Sequence, residues 1–62
     1  MLTEHQMKIM EHIISNGRIT SNDIQKMFHI SRQAAHKELK KMIDLEIIEP
    51  KGTGRTIYYV LK

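Results

Sequence analysis

Sixty-two residues without a cysteine make one domain, here spanning 1–62, and exclude both disulfide frameworks and thiolate metal sites. A chain of this size buries only about 60% of the surface that it exposes unfolded, so its core is small and its stability marginal. The formal charge of +3 is modest, and the polar start from Thr3 and the lack of a long apolar run predict neither a secretory signal nor a membrane span, hence a cytoplasmic module.

The first helix is predicted from Glu4 to Ser15. Thr3 is placed to cap it, with Gln6 completing a capping box and Leu2 stapling against Met7. Met7, Met10, Ile13 and Ile14, widened by Ile9, recur at helical spacing and form its expected buried face. Asn16-Gly17 supplies a left-handed stop. Arg18-Ile19-Thr20 is too short for a helix and reads as a brief extended segment. Thr20 is the next cap, with Asp23 three residues on, and the second helix is predicted from Ser21 to Phe28, burying Ile24, Met27 and Phe28. Only His29 and Ile30 separate it from Ser31, a third capping residue. His29 belongs to the residue types that tolerate a left-handed conformation.

A third helix is predicted from Arg32 to Leu45. Ala35, Leu39, Met42 and Ile43 make its core stripe, while Gln33, Lys37 and Lys40 lie opposite, flanked by His36 and Lys41. Helix, tight turn and helix form a helix-turn-helix. The period then changes to two. Ile47 to Pro50 reads as a strand, Lys51 to Arg55 as a flexible turn, and Thr56 to Leu61 as a second strand with Ile57, Tyr59 and Leu61 facing the helices. Pro50, without a donor, suits an edge. The expected fold class is therefore α+β, mostly α, in the order α-β-α-α-β-β, a winged helix.

Thr20-Ser21-Asn22-Asp23-Ile24, Ile30-Ser31-Arg32-Gln33-Ala34-Ala35 and Leu39 through Ile48 resemble the core of small prokaryotic winged helix-turn-helix regulators. Gly52 through Leu61 is similar to their wing, especially to domains at the C-terminal ends of Fic-type proteins. The resemblance runs from about Met7 to Leu61 and implies double-stranded DNA as the partner and transcriptional regulation as the role. The chain departs from the pattern at Glu46, where glycine usually ends the third helix, and at His29, where a small residue is commoner.

The charge distribution agrees with a polyanionic partner. Residues 1–30 balance Lys8, Arg18 and Lys26 against Glu4, Glu11 and Asp23, whereas residues 31–62 carry seven Lys/Arg against four Asp/Glu. A basic excess on one side is the footprint of a nucleic-acid binder, although a solvated surface shows similar noise. The major groove, about 12 Å wide, accepts one helix. In it Gln33 is suited to adenine, Lys37 to guanine, and His36 lies in the same early turns, where base edges are met. Lys40 suits phosphate, as do Ser31 and Arg32 at the helix start. Lys51 and Arg55 flank a wing tip made permissive by Gly52 and Gly54, suited to phosphate or a minor groove. Charges at such a tip also serve simply to keep an exposed strand edge from pairing. Four or five phosphate contacts predict a log–log salt slope of roughly −4.

No metal, cofactor or catalytic site is expected. His5 and His12 share a helix face but stand roughly 10 Å apart along its axis, too far for one ion. There are no paired carboxylates and no Ser/His/Asp set, and Gly52-Thr53-Gly54 precedes a strand, not a helix. Internal methionines occupy expected core positions. A competing reading is a protein-interaction module of a larger protein, docking through Tyr58 and Val60 on the outer hairpin face. A homodimer or a tethered parent would raise the weak affinity of one small module.

Overall fold

The computed structural model describes residues 2–62. Three helices, α1 (Glu4–Asn16), α2 (Ser21–Phe28) and α3 (Arg32–Asp44), precede an antiparallel pair, β1 (Ile48–Lys51) and β2 (Tyr58–Leu61), joined through a 3-10 turn at Gly54–Thr56. This is the expected winged helix. The short segment before α2 is reduced to one bridge, Ile19 to Tyr59.

Local signals set the boundaries. Thr3 and Gln6 form a reciprocal capping box, as do Thr20 and Asp23, so each pair satisfies two helix-start N–H groups. Ser31 Oγ accepts the Ala34 N–H at the start of α3. Gly17 ends α1 at φ 86°, and His29 ends α2 at φ 54°. Past α3, Glu46 takes φ 61° where glycine adopts the same conformation without cost. Helix α3 closes at Asp44, and Leu45 is its cap, not its last turn.

Ile9, Ile13, Ile19, Ile24, Ala35, Leu39, Met42 and Ile48 form one buried cluster, with Met10, Met27, Phe28, Ile30, Ile43, Ile47 and Tyr59 packed against it. Every helix contributes, and β1 closes the floor through Ile48. The α1 face is rotated from the expected one. Gln6, Ile9 and Ile13 are buried, whereas Met7 is 49% and Ile14 is 69% exposed. Gln6 is tolerated inside because its Oε1 accepts the Thr3 N–H.

The hairpin also differs from simple alternation. Tyr59 packs on the core, but Ile57 and Leu61, expected beside it, are exposed. Ile57 precedes β2 as it leaves the 3-10 turn, and Leu61 ends the strand, so both lie at the margins of the hairpin. Tyr58 and Val60, expected on an open outer face, are half-buried. Tyr59 exchanges both backbone hydrogen bonds with Ile19, at 3.0 and 2.8 Å. Its polar groups therefore point away from β1, and its partner Pro50 stands in a non-hydrogen-bonded pair where a missing N–H costs nothing.

At the wing tip Gly52 has φ 83°, and a Cβ there would stand 2.5 Å from the Thr56 carbonyl oxygen. Only glycine fits that close approach. The tip is pinned by Thr56, whose N–H and Oγ1 both donate to the Thr53 carbonyl.

Candidate nucleic-acid interface

The polar face of α3 follows from its core face. With Ala35, Leu39 and Met42 buried, a helix of 100° per residue turns Gln33, Lys37 and Lys40 to the far side. All three are exposed, as are Arg32 and His36. Arg32, Lys37 and Lys40 make no ion pair among the described residues, so their charges are uncompensated.

The acids of α3 are disposed to the same effect. Glu38 turns toward α1, where its Oε1 lies 3.0 Å from His5 Nδ1. The His5 ring in turn stacks on Phe28 of α2, with centroids 3.9 Å apart and planes at 9°. One histidine thus ties α1 to both other helices. Asp44 shares the outward side of the wheel, but it sits in the last turn, beyond Lys40. The first three turns therefore present cations and one amide.

The two wing cations are not equivalent. Lys51 closes β1 with its Nζ 3.3 Å from Glu49 Oε1, so part of its charge is already answered. Arg55, exposed in the 3-10 turn, has no acidic partner among the described residues. Ser31 caps the helix, its Oγ accepting the Ala34 N–H, which leaves its O–H able to donate.

One further cationic group outside the expected set lies beside the wing. Arg18, in the segment between α1 and α2, stands 5.2 Å from the centroid of the Tyr58 ring. Nothing local marks that pair, because the two residues meet only when Ile19 bridges Tyr59. Of the remaining cations, Lys8 faces Glu4 and Lys62 faces Glu46, while Lys26 and Lys41 make no ion pair among the described residues.

His36 and Gln33 are free to meet a partner, while His5 is structural. His12 also faces a carboxylate, with Nε2 3.7 Å from Asp23 Oδ2. No described helix is long and apolar enough to cross a membrane.

Comparison with known proteins accords with this arrangement. No curated protein matches the chain. A family described as winged helix-turn-helix DNA-binding matches residues 2–49, which takes in all three helices and the first half of β1 and leaves the wing tip and β2 outside. With most of its length matched and its helices and hairpin arranged as above, the chain belongs to the winged helix-turn-helix DNA-binding family.

Proposed function

We propose that this chain binds duplex DNA with α3 in the major groove and serves transcriptional regulation. Gln33, His36 and Lys37 meet base edges, Gln33 pairing with adenine and Lys37 with guanine. Arg32 and Lys40 hold phosphates on either side, and the Ser31–Arg32 helix start adds backbone N–H groups. Arg55 reaches the backbone or minor groove from the wing, with Lys51 in support. The observation that carries the reading is the exposed Gln33–Lys37–Lys40 stripe, free of acidic partners. A helix face that only solubilises the domain has no need to be cleared of acids through three turns. This one sends Glu38 inward instead.

Amide NMR during titration with duplex DNA tests the assignment. Shifts are expected at Arg32–Lys40 and Lys51–Arg55, and they should weaken as salt rises. Lys37→Ala should cost about 1–3 kcal/mol at one base position, whereas Arg55→Ala should weaken all sequences alike. Equal losses on every sequence for both variants would contradict the division into base and backbone contacts.

A second reading, docking to another protein, has one observation in its favour. Met7 and Ile14 are exposed two turns apart on one side of α1. Under that reading the titration with duplex leaves the α3 and wing amides unmoved up to millimolar DNA.

A further inference from the structure

Between the start of α2 and the turn leading into β2 lies an open cleft of about 570 Å³, walled by Arg18 and residues 20–23 on one side and residues 55–58 on the other. It contains two guanidinium groups from separate segments, Arg18 and Arg55, and neither is paired with an acid among the described residues. The one carboxylate in the wall is already engaged. Asp23 Oδ2 accepts the Thr20 N–H at 3.0 Å and lies 3.7 Å from His12 Nε2.

Arg18 is not simply a free surface charge. Its guanidinium lies over the Tyr58 ring at 5.2 Å, a contact that orients the planar group without neutralising it. An arginine held this way keeps its N–H edge for an acceptor and loses less freedom when it binds. Two unpaired forks across one cleft suit an anion with several oxygens. The cleft is open, not enclosed, which suits a chain passing through it better than a small molecule that must be surrounded.

We propose that Arg18, positioned by Tyr58, contacts a DNA phosphodiester in this cleft opposite Arg55. The assignment rests on the DNA-binding reading above and adds a backbone contact from a segment outside both the recognition helix and the wing. Arg18 touches the ligand; Tyr58 acts through Arg18.

Fluorescence anisotropy of a labelled mixed-sequence duplex of about two helical turns, followed across a salt series, tests it. Arg18→Ala and Arg18→Gln should each weaken binding about 5-fold at low salt and make the log–log salt slope shallower by about 0.9, the value of one phosphate contact. Tyr58→Leu keeps the charge and loses the ring, so it should weaken binding while leaving the slope near that of the wild type; Tyr58→Phe should recover the affinity. Thermal melts accompany each variant, and Arg18 is exposed, so its variants should melt with the wild type. If Lys37→Ala and Arg55→Ala weaken binding while both Arg18 variants match the wild type in affinity and slope, the cleft assignment is wrong and the DNA reading stands. If the wild type itself shows no salt-dependent duplex binding, both are wrong.

Discussion

Glu46 occupies a left-handed conformation, φ 61°, immediately after α3, and pays for it in strain that a side chain with a Cβ does not escape. Its N–H donates to the Ile43 carbonyl, a bond that glycine would keep; its side chain meets only Lys62 Nζ at 3.5 Å among the described residues, both groups exposed, and such a pair contributes little. Glu46→Gly should therefore stabilise the domain by about 0.5–1 kcal/mol, the relief of strain exceeding the larger unfolded-state entropy of glycine. In a domain this size that corresponds to a rise in Tm of roughly 2–8 °C, read by circular dichroism. Lys62→Ala should leave Tm nearly unchanged; a fall as large as the Glu46→Gly gain would show that the ion pair matters more than the backbone. His29, at φ 54°, is a milder instance of the same geometry at the end of α2.

At the scale of elements, α1 shows how a sequence can offer two overlapping faces. Met7, Met10 and Ile14 recur as regularly as Gln6, Ile9 and Ile13, and they look more apolar. The fold buries the second set. Gln6 is the reason that periodicity misleads: its amide looks like a surface group until it is seen accepting the Thr3 N–H inside the capping box. Ile13→Ala should cost about 2–5 kcal/mol, as for other buried large-to-small changes, whereas Ile14→Ala should fall within about 0.5 kcal/mol of the wild type. Urea unfolding of the two variants distinguishes them, and comparable losses would mean that the Ile14 side of α1 is covered in solution. The helix α3 presents no such ambiguity, because Ala35, Leu39, Met42 and Ile43 make a single apolar stripe, and its polar side follows by exclusion.

For the molecule as a whole, the distribution of ion pairs decides how many cations remain for a polyanion. Lys8, Lys51 and Lys62 each face a carboxylate, while Arg18, Lys26, Arg32, Lys37, Lys40, Lys41 and Arg55 make no ion pair among the described residues. The five of these that belong to the proposed contacts, Arg18, Arg32, Lys37, Lys40 and Arg55, predict a log–log salt slope of roughly −4, the same magnitude expected from the chain alone but with Arg18 in place of Lys51. Glu49→Gln releases Lys51 and should steepen the slope by about 0.9 and tighten binding at low salt. An unchanged slope would show that Lys51 points away from the duplex whatever its partner.

The sequence alone determined the helices, their caps and the hairpin, because those signals act within about four residues. A threonine and the glutamine or aspartate three positions on satisfy the same helix start, Asn16-Gly17 stops α1, and two residues between Phe28 and Ser31 leave room only for a tight turn. It also determined the outward stripe of α3, since one helix carries both the apolar pattern and its complement. Tertiary structure alone decided the facing of α1, the exposure of Ile57 and Leu61, the stack of His5 on Phe28 beside Glu38, and the meeting of Arg18 with Tyr58. Each of these joins residues far apart in the chain, and their proximity is created by burying one shared core, a non-local free energy that no short stretch of sequence records.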